Sequence, residues 1–354
     1  MSHGTHGSPS HVIDELDRRI IAALQLGGRA PWSAIAHWAG ASETTVQRRF
    51  QALRERGLVR VVATLELERT ASGSSMLVRV QARPGRGLEL AGVLAECPQV
   101  RFVAVVTGAA DLVVDFVAED NDQLMRLLYA DLPGADLITG TECVAAIRSF
   151  TSPAHWDTGL LPPQAREALR PAALAAPYES TGKDEAPQAL SDVEREVATA
   201  LSADGRIPVS ALARALGRTE SSVARILERL ANRGVLHFRT LVDPWLLGFE
   251  AEFMVWLSVE PDRLDAAGRQ LARHSGTKLL SAATGRFNLV GHVVLPHRSD
   301  LFRYTGEVLG ALPGLIASEI TLHLATLKHA WTQMVAPGRP FLSVVPAPVP
   351  STES

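Results

Sequence analysis

The sequence predicts an α+β fold in which one two-domain unit is present twice. The chain aligns with itself at an offset of 177 residues: Asp14–Arg60 falls on Ser191–His237 without a gap, and Thr107–Gly108 falls on Thr284–Gly285. Each copy begins with three helix-like segments and continues with alternating strand-like and helix-like segments. A repeat of this length indicates duplicated domains rather than a stacked solenoid. Any function must therefore be explained for both copies.

The first part of each copy predicts three helices and a strand. In the first copy, apolar residues recur at helical spacing over 13–24, and a short helix is expected over Trp32–Trp38. Ser42 is a suitable N-cap for a third helix over Glu43–Arg56, and Leu58–Leu67 has the composition of a strand. The second copy repeats this order, which is that of a winged helix-turn-helix domain.

The second part of each copy predicts the order βαββαβ of a ferredoxin-like domain. The segments of the first copy are Met76–Ala82, Leu88–Glu96, Val100–Val106, Leu112–Ala118, Asp122–Leu132 and Leu137–Phe150. Those of the second copy are Glu252–Val259, Arg263–His274, Lys278–Ala283, Leu289–Leu295, Ser299–Leu312 and Ile316–Lys328. The predicted fold class is thus two winged helix-turn-helix domains, each followed by a ferredoxin-like domain.

These segments predict six regions of the chain. They are a winged domain at 12–68, a ferredoxin-like domain at 74–151, a Pro- and Ala-rich linker at 152–188, a second winged domain at 189–245, a second ferredoxin-like domain at 250–331 and a disordered tail at 335–354. No apolar run approaches the roughly 18 residues of a membrane span, and Met1–His11 lacks the apolar core of a signal peptide. A cytoplasmic protein without a membrane partner is therefore expected.

Basic residues are concentrated in the winged domains. The whole chain has a formal charge of −3, yet 14–60 holds eight arginines against five acidic residues, and 191–239 holds eight against six. A local basic excess favours double-stranded DNA as a partner of these regions.

The third helix of each winged domain carries the candidate DNA-binding residues, because the N-terminal part of this helix enters the major groove in helix-turn-helix proteins. Gln can pair with adenine, Arg with guanine, and Ser or Thr with phosphate. The candidates are Ser42, Thr44, Thr45, Gln47, Arg48, Arg49 and Arg54 in the first copy, and Thr219, Ser221, Ser222, Arg225 and Arg229 in the second. A purely structural three-helix bundle with a solvated Arg face is the alternative, and the duplication argues against it.

Four motifs carry a resemblance to a known family. They are S-E-T-T-V-Q-R-R at 42–49, R-G-L-V at 56–59, V-T-G-A-A-D-L at 106–112 and V-D-P-W-L-L-G-F at 242–249. Over 12–150 and 189–331 the chain resembles the Lrp/AsnC (leucine-responsive and asparagine-synthase) regulators. The resemblance implies DNA binding by the winged domains, and no metal or cofactor. It also implies that the ferredoxin-like domains form homo-oligomers and sense a small effector, an amino acid by preference. Because the protein is expected to bind DNA, it is expected at the nucleoid.

The resemblance places a candidate effector site at one turn of each ferredoxin-like domain. The matching residues are Thr107, Gly108, Asp111, Thr284, Gly285, Phe287 and Asn288. Gly108 and Gly285 also suit a tight turn that needs a positive φ, so a structural role remains equally open.

The two copies differ at positions that matter for both predicted sites. Ile226 replaces the arginine found at Arg49, and Ala224 replaces Gln47. In the effector turn the first copy has Ala110 where an aromatic residue is expected, whereas the second keeps Phe287. We therefore expect the first copy to bind DNA more strongly and the second to retain more of the effector site.

Two other functions and a metal site are alternatives to DNA binding. Sirohaem decarboxylases resemble this family, and Phe287–Val290 and His237 resemble segments of theirs, but the remainder of their wing signature is missing. An interaction scaffold that binds no DNA is the other alternative. The pairs His292/His297 and His323/His329 do not have the spacing of metal ligands on one helix face, so no metal site is expected.

Overall fold

The computed structural model describes residues 13–70, 73–171, 188–333 and 343–344. The first winged domain contains helices α1 (Glu15–Leu26), α2 (Trp32–Ala39) and α3 (Glu43–Glu55), strand β1 (Val59–Leu65) and the short helix α4 (Leu67–Thr70). The apolar faces of the three longer helices pack on one another, as the periodicity predicts; Val46, Phe50 and Leu53 of α3 are buried in this core.

The first ferredoxin-like domain follows. Its elements are β2 (Ser74–Ala82), α5 (Gly87–Glu96), β3 (Val100–Val106), β4 (Leu112–Ala118), α6 (Asn121–Tyr129) and β5 (Ile138–Thr151). A short helix, α7 (Pro163–Leu169), lies in the region predicted as a linker and buries Ala165 and Leu169 in the core of the first winged domain. The rest of that linker, 172–187, lies outside the described residues.

The second copy repeats both domains. Its winged domain contains α8 (Asp192–Ala203), α9 (Val209–Ala215), α10 (Glu220–Asn232) and β6 (Leu236–Val242). Its ferredoxin-like domain contains β7 (Ala251–Val259), α11 (Leu264–Ala272), β8 (Thr277–Ala283), β9 (Leu289–Leu295), α12 (Asp300–Arg303) and β10 (Leu315–His329). Strands β11 (Thr332–Gln333) and β12 (Ser343–Val344) pair at the end of β10. Apart from β12, the tail predicted at 335–354 lies outside the described residues.

Eight strands from both ferredoxin-like domains form one closed barrel. Their order is β10-β3-β4-β2-β5-β8-β9-β7, and β7 pairs again with β10. Strands β5 and β10 close it, because each pairs along its first part with its own domain and along its second part with the other domain. One chain thus supplies both halves of a barrel with approximate twofold symmetry.

The two winged domains also contact each other. Strands β1 and β6 pair antiparallel in register from Val59 opposite Val242 to Leu65 opposite Leu236. Nearby, the Arg29 guanidinium donates hydrogen bonds to the carbonyl oxygens of Gly205 and Ile207 at 2.9 and 3.1 Å.

A matching contact runs in the opposite direction between the winged domains. Arg206, which aligns with Arg29, donates to the carbonyl oxygens of Gly28 and Ala30 at 2.6 and 3.0 Å. Its guanidinium lies 3.7 Å from the centre of the Trp32 ring. The two winged domains are therefore held as one symmetric pair.

The predicted α+β fold class is confirmed, with one local difference. A single helix was expected over Ser299–Leu312, whereas the structure has α12 followed by a π-helical turn over Tyr304–Leu309. Gly306 and Gly310 lie in or beside this turn and weaken regular helix formation. Among the described residues, no helix combines the length and the apolar character needed to cross a membrane.

Candidate functional sites

The N-terminal half of α3 presents a polar surface to solvent. Ser42, Thr44, Gln47 and Arg48 are exposed, and Thr45 is half-buried. The Ser42 hydroxyl accepts a hydrogen bond from the backbone N–H of Thr45 at 3.3 Å, so it caps the helix as predicted. This surface has the donors and acceptors that base edges require.

Arg49 points towards the N-terminal turn of α1, and its side chain is 34% exposed. Its Nη1 lies 2.8 Å from Asp14 Oδ2 and 3.4 Å from Asp17 Oδ1. Both carboxylates belong to the N-terminal turn of α1, where Asp14 forms a capping box with Asp17. The role of Arg49 in DNA binding stays a prediction, and the structure adds that its guanidinium joins α3 to α1.

Two further arginines predicted to contact DNA also have acidic partners within the protein. Arg54 Nη1 lies 3.0 Å from Asp204 Oδ2 of the second winged domain, and Arg229 Nε lies 3.1 Å from Glu194 Oε1 of α8. Both side chains remain more than two-fifths exposed, at 41% and 58%. If these arginines contact phosphate, the neighbouring carboxylates partly neutralise their charge.

The corresponding surface of α10 is smaller and less polar. Thr219, Ser221 and Arg225 are exposed and Ser222 is half-buried, while Ala224 replaces the glutamine of the first copy. Ile226, which aligns with Arg49, is 5% exposed and packs in the core of its domain. The difference between Arg49 and Ile226 therefore changes how the third helix is attached to its domain. The difference between Gln47 and Ala224 changes the side chain that this helix exposes to solvent.

The predicted effector turns hold the two halves of the barrel together. Thr107 donates its backbone N–H to the Leu322 carbonyl at 2.9 Å, and its hydroxyl accepts from the Leu322 N–H at 3.1 Å. Thr284 makes the same two contacts with Ala145, each at 2.9 Å. Both threonines thus join the end of one domain's strand to the long strand of the other domain.

The other residues of these turns also have structural contacts. Gly108 has a φ of +100° and Gly285 a φ of +93°. The Asp111 carboxylate accepts from the backbone N–H of Ala82 at 2.8 Å, and Asn288 accepts from the backbone N–H of Val259 at 2.9 Å. The acid-to-amide difference between the copies therefore preserves this hydrogen bond.

Phe287 has a different environment. Its ring packs beside the barrel interior and lies 5.9 Å from the Arg79 guanidinium. Neither it nor the other six predicted effector residues line the cavity between the winged domains and the barrel.

A cavity of about 250 Å³ lies where the winged pair meets the barrel; we call it the junction cavity. The winged domains contribute 64–67, His237 and Arg239, and all eight barrel strands contribute residues to the wall. The segment that follows β10, Ala330–Trp331, completes the wall. Apolar walls with a few converging polar groups are typical of small-molecule sites.

Two arginines line the junction cavity with different partners. Arg101 Nε donates to Asp115 Oδ2 at 2.6 Å, and Ser75 donates to the other oxygen of that carboxylate at 2.6 Å. Arg239 Nη2 instead lies 2.8 Å from His329 Nε2. Since a guanidinium cannot accept a hydrogen bond, His329 must accept here with a neutral ring.

His237 in the cavity wall and His155, whose ring faces it, are both kept neutral by their surroundings. Burial, followed by the charge of Arg69, lowers the pKa of His237 to about 4. Burial, followed by the facing His237, lowers the pKa of His155 to about 3. The two rings lie 6.2 Å apart, so protonation of either would oppose protonation of the other.

Strand pairing brings together three potential metal ligands that the sequence spacing did not connect. Glu252, His292 and His323 place one ligand atom each within 4.8 Å of one another. His292 Nε2 lies 2.8 Å from Glu252 Oε2, but Lys278 Nζ lies 3.5 Å from the same oxygen. The Lys278 ammonium already balances this carboxylate and would repel a divalent cation, so the cluster is better described as a buried ion pair.

One sequence signal could have located the junction cavity. Arg101, Asp115 and Arg239 are charged residues inside otherwise apolar strands. Charged side chains are seldom buried without a partner, so their presence in such strands indicates a polar interior site. The sequence did not predict the closed barrel, and therefore it could not predict that these three residues lie close together.

The fold and these surfaces define a DNA-binding protein with a ligand-binding domain, and comparisons with known proteins agree. The AsnC-type helix-turn-helix domain model matches residues 13–54, the Lrp/AsnC ligand binding domain matches 75–153, and a winged helix-turn-helix DNA-binding model matches 190–236.

Curated relatives are transcriptional regulators. The HTH-type transcriptional regulator FL11 of Pyrococcus horikoshii is 30% identical over 154 residues, which cover 42% of this chain and 96% of that protein. The regulator AldR of Mycolicibacterium smegmatis is 27% identical over 146 residues, 39% of this chain and 85% of that protein. The chain belongs to the Lrp/AsnC family of transcriptional regulators, and each relative matches about one of its two copies.

A solved structure resembles the whole chain. The sirohaem decarboxylase NirDL superposes with a TM-score of 0.56 over 93% of this chain and 95% of its own, at 17% identity. At this identity the likeness shows a common two-copy fold.

Proposed function

We propose that this protein regulates transcription by reading one operator with two non-equivalent recognition helices, α3 and α10. The observation that carries the proposal is the joined pair of winged domains. Strand pairing between β1 and β6 and the reciprocal contacts of Arg29 and Arg206 fix the two helices relative to each other. A fixed pair of helices suits two half-sites at one defined spacing on DNA.

The exposed residues of α3 and α10 support unequal reading of the half-sites. Arg48 and Arg225 occupy equivalent exposed positions and can each pair with guanine. Gln47 can pair with adenine, whereas Ala224 offers only a methyl contact to thymine. The two half-sites are therefore expected to differ in sequence. DNA binding would place the protein at the nucleoid in the cytoplasm.

A small metabolite, in the family an amino acid or similar molecule, is proposed to modulate operator binding. A ligand that shifts the winged pair against the barrel would alter operator affinity. The identity and the site of this effector are separate questions from DNA binding.

Association between chains is proposed to use the outer surface of the barrel, because the barrel itself closes within one chain. Tyr129 and Phe302 are exposed there at 86% and 90%. We expect sedimentation velocity to show a dimer or larger species that Phe302→Ser weakens. A monomer at all concentrations would contradict this.

The DNA-binding proposal is tested by substituting the two equivalent arginines. An operator is first selected from genomic fragments with the purified protein, and affinity is then measured by fluorescence anisotropy. Arg48→Ala and Arg225→Ala should each cost about 1–3 kcal/mol of binding free energy if they contact base edges. Arg273→Ala, on the exposed barrel surface, should leave affinity unchanged. Equal affinities for all four proteins would contradict the proposal.

A tetrapyrrole decarboxylase is the second candidate, because the NirDL likeness extends over the whole chain and histidines and arginines line the junction cavity. The cavity volume of about 250 Å³ is below the roughly 300–1,000 Å³ typical of drug-sized ligands, and a tetrapyrrole is larger still. Absorption spectra with added sirohaem and mass spectrometry of the pigment would test this candidate. A bound chromophore that loses carboxyl groups would favour the enzyme over the regulator.

A further inference from the structure

We infer that the junction cavity binds a small organic carboxylate, recognised by Arg239 and the indole N–H of Trp331, with its apolar part in the barrel interior. As an effector site this inference depends on the proposed regulatory function. As a binding site it does not, and ligand binding and operator binding can be measured separately.

The charge of Arg239 is the first argument. Its hydrogen-bond partner is the neutral His329, and no carboxylate among the described residues lies within 4.0 Å of its guanidinium. Burial and the neighbouring Arg101 lower the pKa of Arg239 to about 10. Arg239 is half-buried, and the Glu66 carboxylate of the cavity wall attracts its charge without forming an ion pair. An anion in the cavity would offset the remaining cost of removing this cation from water.

An unpaired donor is the second argument. Trp331 lines the cavity, and its indole N–H is buried without an acceptor among the described residues. A buried polar group usually has a hydrogen-bond partner, and an acceptor oxygen in the cavity would supply one. The Arg101 guanidinium lies 5.7 Å from the centre of the same ring, which places a second cation beside it.

Backbone strain at the same place is the third argument. Ala330 and Trp331 have φ values of +49° and +61°, the left-handed region that non-glycine residues seldom occupy. They are the non-glycine residues with positive φ in the described part of the chain, and both line the cavity. Such strain is concentrated at ligand and switch sites because the surrounding structure must maintain it.

The size and charge of the cavity select the ligand class. Its 250 Å³ equals roughly eight waters at about 30 Å³ each, which suits a molecule of about ten non-hydrogen atoms. Its apolar wall includes Leu77, Phe102, Met254 and Leu279. Two carboxylates line the cavity, and both have partners within the protein. Asp115 is engaged by Arg101 and Ser75, and Glu66 lies 3.8 Å from the His237 ring and has a further partner. Neither is therefore free to receive the ammonium of an amino acid. A carboxylate without an amino group fits best.

The position of the cavity gives the ligand a route to DNA binding. Arg239 lies on β6 of the winged pair, whereas Trp331 follows the last barrel strand, so one ligand would join the two bodies. Binding would favour the relative position of winged pair and barrel in which Arg239 and Trp331 both contact the ligand. The affinity for the operator would change with that position.

Calorimetry on the full chain tests the site, with phenylacetate as the first probe and a panel of other aliphatic and aromatic monocarboxylates of similar size. Binding should be lost with phenylacetamide, which has the same shape and no charge. Arg239→Gln should weaken binding at least about tenfold because it removes the positive charge, and Trp331→Phe by a few-fold because it removes the indole N–H donor. Arg273→Gln, exposed and remote, should bind like the unaltered protein.

Further variants and ligands make the outcome decisive. Arg239→Lys should retain part of the affinity, and circular dichroism establishes whether Arg239→Gln is folded; if it is not, Trp331→Phe decides. Absence of binding by every carboxylate, equal binding of phenylacetamide, or equally tight inorganic phosphate would overturn the inference. If carboxylates do not bind but an operator is selected, only this inference fails. If they bind but no operator is selected, only the proposed regulation fails.

Discussion

At the residue scale, equivalent positions in the two copies serve different purposes. Arg101, Asp115 and Ser75 form a hydrogen-bonded group in the first copy. The residues at the same offset in the second copy are Lys278, His292 and Glu252, which form the buried ion pair. Each set keeps one cation and one acid in contact, although the acid moves to a different strand. Duplication followed by such exchanges makes the barrel interior asymmetric.

The neutral histidines predict a pH dependence of stability. His155 and His237 have folded pKa values of about 3 and about 4, below the ordinary 6.5, so the unfolded chain binds more protons below pH 6.5. Their contribution is fully present above pH 6.5 and is lost as the pH falls towards 4. Across that window each of the two histidines should lower the free energy of unfolding by about 2–4 kcal/mol, since one pKa unit corresponds to about 1.4 kcal/mol.

Thermal denaturation between pH 7.5 and 4.5 measures this effect. The melting temperature should fall with pH, and His237→Gln should reduce the slope. His297→Gln is a control of opposite sign, because Glu250 raises the pKa of this exposed imidazole, so this variant should not reduce the slope. A slope identical in the unaltered protein and His237→Gln would show that His237 does not titrate on unfolding.

At the scale of elements, the turns after β3 and β8 and the long strands β5 and β10 determine how the barrel closes. Sequence periodicity located these elements, because their apolar positions face one core. It could not show that β5 and β10 each pair with both domains. Strand pairing uses backbone N–H and C=O groups, which do not depend on the side chain and so leave no signal in the sequence. The same limit applies to Arg49, whose acidic partners lie 32 and 35 residues away.

Gly108 tests the role of the turn in barrel closure. Its φ of +100° disfavours any side chain, and an added Cβ would lie 3.0 Å from Thr321 Cγ2 on the opposing strand. Gly108→Ala should therefore cost about 1–3 kcal/mol. Gly92→Ala is the matched control, because nothing lies within 4 Å of its Cβ position in α5 and alanine favours helix by about 0.5–1 kcal/mol. Equal urea midpoints for both variants would contradict this role of the turn.

Arg206 tests the joining of the winged domains. Arg206→Ala removes two hydrogen bonds to backbone carbonyls and the contact with Trp32, at a cost of about 2–4 kcal/mol. Amide hydrogen exchange should increase in β1 and β6 but not in the barrel, and operator affinity should fall. Arg214→Ala, at an exposed position of α9, should change neither. Unchanged exchange in β1 and β6 would show that strand pairing alone joins the domains.

At the scale of the whole molecule, the chain is a dimer-like assembly made from one polypeptide. The offset of 177 residues predicted the duplication, and the motifs at Ser42–Arg49 and Val106–Leu112 predicted both domain types. The junction cavity was not predicted, because it exists only when the winged pair and the closed barrel are placed together. Long-range placement of this kind leaves no local periodicity in the sequence.

The central claim is that two unlike recognition helices, fixed in one chain, read one operator. In vitro selection from a random DNA library, followed by sequencing, tests it most directly. We expect an enriched site with two half-sites of different sequence, and Ala224→Gln should make the second half-site more similar to the first. Selection of a perfect palindrome would contradict the asymmetry, and the absence of any enriched sequence at low salt would contradict DNA recognition itself.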